Sequence, residues 1–284
     1  MKYMTKEWYE TMQKTSLDCM LTISKQAEVF SEEYFKKLYR RKERKWLKEL
    51  EEIAEINLAE VLPEELCFIP ADGSAVDEAE LEGAKSVYLE MREKARESFE
   101  NRPPFDPEQE RKNFKKWFRF KVKELQEKLP EAILEKVADI RVLALDCASA
   151  EVKKEIRRFC RGNHKSVESA MAGYRKQYER QFKGNPPAFA EKNSLHDCII
   201  KSCRKSGKDL IITLDNSGGF TNINQLRLKN CEVLQQDAPL KGARGQYEEI
   251  FKSGSRFEIH FLLEKKKKPI DFIVLVDDLE FEYD

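Results

Sequence analysis

Three histidines and seven cysteines are the scarce residues with which this chain could do covalent or metal chemistry, and two of each draw together in the run Leu195-His196-Asp197-Cys198 and the later His260 and Cys203. If residues 195–203 form a strand, His196 and Cys198 share one of its faces. A His beside a Cys is the pairing that activates a thiol nucleophile, and His196, Cys198 and His260 converging on one point would be a metal-ligand set. Both chemistries require side chains within hydrogen-bond reach, and an imidazole beside a carboxylate more often fixes the start of a strand. His196, Asp197 and Cys198 are therefore the catalytic candidates, with a structural role for His196 preferred.

The other polar concentration is Asp215-Asn216-Ser217-Gly218-Gly219-Phe220-Thr221-Asn222. Two glycines permit a tight path, but the Gly-Lys-Ser/Thr ending and following helix of a phosphate loop are missing, so the segment reads as a connection between strands. No CxxC occurs, and the odd, dispersed cysteines at 19, 67, 147, 160, 198, 203 and 231 read as reduced thiols. Neither a cofactor nor a structural metal is expected.

The elements that must position these residues change character near Gly184-Asn185-Pro186-Pro187. Before it, apolar residues recur every three or four positions; after it, the period is two. The expected class is α+β, with a helical bundle over residues 1–185 and a small antiparallel β-sheet or barrel over 194–284. Helix signals include Asp106-Pro107 at one start and Ser149 at another, with Gly162 as the stop of the second. Residues 62–76 read as a loop, and 130–145 as one helix apolar on nearly every side, with Asp139 and Arg141 inside it in a structural ion pair or at an edge, a charge lining a cleft being the alternative. Hairpins are expected at Ser206-Gly207-Lys208 and Ser253-Gly254-Ser255, and about six strands in all, including 195–203, 225–234 and 270–279.

Charge is balanced, with 52 basic and 52 acidic residues, but it is segregated. Residues 36–48 carry eight Lys or Arg and one acid, 49–82 carry twelve acids and no base, and 151–184 carry ten bases and four acids. Such blocks either pair between packed helices, the reading preferred here, or form faces that attract charged partners. Two basic stretches are the binding candidates. Around Phe114, Trp117 and Phe118 the basic and aromatic mixture has the composition of a nucleic-acid tracker, although its spacing favours a core-facing stripe. Lys153, Lys154, Arg157, Arg158 and Arg161 form the better electrostatic site for an anionic partner.

The opening MKYMTKEWYE, the central LPEAILEKVADIRVLALDCAS and the segment LHDCIIKSCRKSGKDLIITLDNSGGFTNINQLRLKNCEVL together resemble an uncharacterised family of cytosolic proteins of Gram-positive bacteria, catalogued as a domain of unknown function. The resemblance implies a bacterial, cytosolic protein and assigns no activity or functional residue. With 37% charged and 40% hydrophobic residues and no run suited to a signal peptide or a spanning helix, a soluble cytoplasmic protein without membrane attachment is expected. The preferred function is a non-enzymatic interaction protein of a regulatory or immunity-like kind with a protein partner, nucleic acid being second. The alternative is an enzyme with a site at the domain seam built from His196, Asp197 and Arg141.

Overall fold

The computed structural model describes residues 1–63, 78–190 and 195–283. In chain order the elements are helix α1 (Lys6–Met12), strand β1 (Thr22–Ile23), helices α2 (Glu32–Glu55), α3 (Leu58–Val61), α4 (Glu78–Glu100), α5 (Pro107–Lys128), α6 (Glu131–Leu134) and α7 (Ile140–Leu143), strand β2 (Cys147–Ala148) and helix α8 (Ala150–Phe182). Eight strands follow: β3 (Ile199–Ser206), β4 (Asp209–Asp215), β5 (Ile223–Lys229), β6 (Glu232–Gln236), β7 (Arg244–Ser253), β8 (Arg256–Lys265), β9 (Lys268–Val276) and β10 (Asp278–Tyr283). The class is α+β. Among the described residues no helix is long and apolar enough to cross a membrane.

Compactness divides the chain at places other than the change of texture. One unit is 21–152; the other joins 1–20 to 153–284. The expected ranges 1–185 and 194–284 mark where helix gives way to strand, not where contacts cluster. Most of the expected loop at 62–76, and residues 191–193 of the expected seam, lie outside the described residues.

In the unit 21–152, α5 begins where Asp106 accepts hydrogen bonds from the backbone N–H groups of Glu108 and Gln109, with Pro107 in the first turn. Its aromatic stripe is core. Phe114 is buried against Tyr39, Trp46 and Trp117, with ring centroids 5.1–5.7 Å apart, and Phe118 meets Phe35 and Tyr39. The basic residues of its outer faces pair along the same helix, Arg111 with Glu108 and Lys123 with Glu127, which suits a solvated back better than a nucleic-acid track. In α2, Lys45 pairs with Glu49 and Lys48 with Glu52, so the basic block and the start of the acidic block meet within one helix. The single helix expected over 130–145 is instead two short ones, because Asp139 leaves helical geometry to cap α7 through the N–H of Arg141. The expected ion pair is present: Arg141 donates to Asp139 and to Glu32, and its guanidinium stacks 4.1 Å from the ring centre of Phe35.

In the other unit, the strand order is β10-β5-β4-β3-β7-β8-β9-β6, an open antiparallel sheet whose ladder ends on β10 and β6. It is not a closed barrel. The count exceeds the expected six because two long strands break: Asn230, at φ 47°, separates β5 from β6, and Asp277 separates β9 from β10. Both breaks fall at the same level, since Lys229 faces Asp278 and Glu232 faces Leu275. The two paired strands thus bend together, which lets Leu226, Leu228 and Leu214 share one core with Ile259, Phe261 and Val274. The hairpins at Gly207 and Gly254 are as expected, both glycines at positive φ between Ser206–Asp209 and Ser253–Arg256.

Helix α8 is continuous through Gly162, which corrects the stop expected there. Its first turn is capped as expected, Ser149 Oγ accepting from the N–H of Val152. Val167 of α8 packs with Met4, Trp8, Tyr9 and Leu262, and Trp8 Nε1 donates to the Val167 carbonyl. The N-terminal segment is thereby part of the sheet's cover.

Candidate functional site

The strand expected from Leu195 begins only at Ile199, because Asp197 adopts φ 64° and residues 195–198 turn past the start of β7. Backbone bonds Asp197 N–H to Gly245 O and Gly245 N–H to Cys198 O fasten this turn. A Cβ on Gly245 would fall 2.1 Å from the Leu195 carbonyl oxygen, so only glycine admits the close approach. The turn aims His196 and Cys198 differently. His196 Nδ1 lies 3.0 Å from Asp197 Oδ2, and its ring meets Tyr247 edge-on at 5.6 Å and Phe220 at 5.8 Å. Cys198 is buried beneath Gly219, whose Cβ, if it had one, would be 2.5 Å from Cys198 Sγ.

The loop 215–222, read separately in the sequence, is thus the neighbour of the His-Asp-Cys turn. Asp215 Oδ1 accepts from the N–H and hydroxyl of Ser217, bonds that hold the Asp215 carboxyl below the usual range. With its start fixed, the loop presents Phe220 to solvent at 81% exposure.

What this arrangement can do chemically follows from its protonation states. Burial, with the nearby charges of Asp197 and Asp215, pushes the Cys198 thiol above its ordinary value, so at neutral pH it is a thiol and a poor nucleophile. His260 belongs to another cluster. It is buried, hydrogen-bonded through Nε2 to Glu258 Oε1, and lowered in pKa first by burial, so it is neutral. Arg141 is committed to Asp139 and Glu32. Within their own unit His196 and Asp197 join, with Arg244 Nη1 3.6 Å from the second Asp197 oxygen. Among the described residues no group of three or more His, Cys, Asp or Glu is arranged to hold a metal ion, and the six described cysteines are free thiols.

The pair His196–Asp197 sits on a turn that backbone bonds to Gly245 already fasten. Replacing His196 with Ala removes one partly exposed hydrogen bond and is expected to lower stability by about 1 kcal/mol. Chemical denaturation reads this directly, and a loss above roughly 3 kcal/mol would show that the ring supports much more than the turn.

The basic stripe resolves into two lines. Arg157 turns to Asp18, 3.4 Å away, and Lys153 is half-buried. Lys154, Arg158 and Arg161 are exposed, and the unbroken helix adds Lys165 to their line at spacings of four, three and four. A helix that stopped at Gly162 would leave Lys165 off this line, so its membership follows only from the unbroken helix. Arg158 is 83% exposed, with a contact to Glu155 at 3.8 Å.

A concavity in the sheet unit is signalled by neither motif nor composition. Met4, Met171, Tyr174, Arg175, Tyr178, Ala190, Glu248 and Ile250 line it. Its two charged residues stand on elements far apart in sequence, and no local pattern links them.

A family model described as "Protein of unknown function (DUF4085)" matches residues 105–271, from the start of α5 into β9. No curated protein and no solved structure matches the chain.

Proposed function

Because the chain belongs to the DUF4085 family, whose description carries no activity, we propose from its own surfaces that it is a non-enzymatic interaction protein, and that the exposed line Lys154, Arg158, Arg161 and Lys165 of α8 docks an acidic protein partner. The observation that carries this is the register of the four cations. Over eleven residues of helix they span about 16 Å on one side. Like charges three or four residues apart on a helix repel, each pair costing roughly 0.2–0.5 kcal/mol. Carboxylates of a partner relieve that repulsion and gain charge-assisted hydrogen bonds.

The balanced total charge and a pI near 6.9 favour a protein over a nucleic acid, since a duplex rewards a broad basic field in preference to one narrow line. The protonated, buried Cys198 weighs against the enzymatic alternative. A regulatory or immunity-like role in the bacterial cytosol fits this reading and the free thiols.

The test is charge reversal. In Lys154→Glu with Arg158→Glu, captured acidic proteins should drop at least tenfold relative to the native bait in quantitative mass spectrometry of host extract. The melting temperature should move by less than about 2 °C, because exposed substitutions seldom alter stability much. An unchanged capture profile overturns the proposal, and captured nucleic acid lost in the variant overturns the partner class.

A further inference from the structure

An acid, Glu248 of β7, and a base, Arg175 of α8, line the same pocket, yet among the described residues neither makes an ion pair within 4.0 Å. We propose that this pocket binds a free α-amino acid with an apolar side chain, its ammonium group on Glu248, its carboxylate on Arg175, and its side chain against Met4, Met171 and Ile250.

The walls are fixed before any ligand arrives. The strands β3 and β7 pair only at Ile199 and Arg244, and further along β7 the helix α8 closes the open edge. Tyr174 Oη accepts from the N–H of Ile250 at 2.8 Å, and Gln181 Oε1 accepts from the N–H of Lys252 at 2.8 Å. Tyr174 and Tyr178 stand edge to face, 5.9 Å apart. A volume of about 300 Å³ falls at the small end of ligand sites.

The chemistry of the lining selects the ligand. Partial burial without a counter-charge raises the Glu248 carboxyl to about 7. An ammonium group supplies that charge, and aromatic faces beside it add attraction. Arg175, exposed at the mouth, presents a planar fork that suits a carboxylate. An amine alone leaves the guanidinium unmatched, and an acid alone leaves Glu248 unmatched. The apolar remainder of the lining penalises a polar side chain, whose hydrogen bonds would go unmade.

This inference is independent of the α8 charge line. Calorimetric titration of the full chain with L-leucine and L-phenylalanine tests it, alongside phenethylamine, which lacks the carboxylate, and 3-phenylpropanoate, which lacks the amine. Saturable binding of at least one amino acid is expected, weakened at least tenfold in Glu248→Gln and in Arg175→Gln, with both fragments at least tenfold weaker than phenylalanine. Because Arg175 is exposed, its variant should keep the native fold, as circular dichroism would verify. No binding of either amino acid at millimolar concentration, or undiminished binding in both variants, overturns the proposal. Phenethylamine binding as tightly as phenylalanine overturns the assignment of the carboxylate to Arg175.

Discussion

Replacing Glu249 with Ala is expected to lower the melting temperature by on the order of 10 °C. Glu249 has no exposed surface. Its Oε2 accepts from the N–H of Lys2 at 2.7 Å, while Oε1 accepts from the N–H groups of Tyr3, at 2.8 Å, and Met4. One carboxylate thereby holds three successive backbone donors and seats the segment that carries Met4, Trp8 and Tyr9 into their cluster with Val167 and Leu262. Alanine leaves those donors without an acceptor. The loss of one buried acceptor that serves three backbone donors costs about 3–5 kcal/mol, and each kcal/mol moves the midpoint of a unit this size by roughly 2–4 °C. Glu249→Gln keeps one carbonyl oxygen and should recover part of the loss. Calorimetry, with hydrogen exchange over residues 2–12, measures both. A shift below 2 °C in Glu249→Ala would mean that the segment is held by its apolar contacts alone.

That contact also shows why part of this molecule is legible in the sequence and part is not. The start of α5 at Asp106-Pro107, the Ser149 cap and the turns at Gly207 and Gly254 are decided by residues within four positions of one another, and each is found where its local chemistry puts it. The bonds of Glu249 join residues separated by 245 to 247 positions. In the sequence Glu249 is simply a charge within a strand, and no periodicity assigns it a partner. The strand breaks at Asn230 and Asp277 belong to the same class, because the bend is set by two strands that must turn together across the core. The single helix read over 130–145 failed for the opposite reason, since a nearly continuous apolar run masked the local capping power of Asp139. In the candidate site, the partnership of His196 and Asp197 was legible because the two are adjacent, whereas the burial of Cys198 depends on Gly219 closing over it from a different segment.

Glu248 provides the second large effect, and it depends on pH. Its carboxyl is raised from 4.5 to about 7 by burial, so the folded protein holds a proton there that the unfolded chain releases. Below about pH 4.5 the group is protonated in both states and its contribution to stability is fully present. Between 4.5 and 7 the unfolded chain ionises first, and stability falls as pH rises; above 7 the loss is complete. At 1.36 kcal/mol per unit, and discounted for the side chain's partial exposure, the loss is on the order of 2–3 kcal/mol. Groups with lowered values act in the other direction. Asp237, brought to about 2 by bonds to Lys6 and the Asp271 N–H against its own burial, loses its contribution only at acid pH, and such terms cancel when two variants are compared at one pH. Glu248→Gln removes the titration while keeping shape and a hydrogen-bonding end. It should match the parent protein at pH 5 and exceed it in melting temperature by about 5–10 °C at pH 8. An equal difference at the two pH values would mean that the Glu248 carboxyl titrates alike in the folded and the unfolded chain, and that burial does not hold its proton.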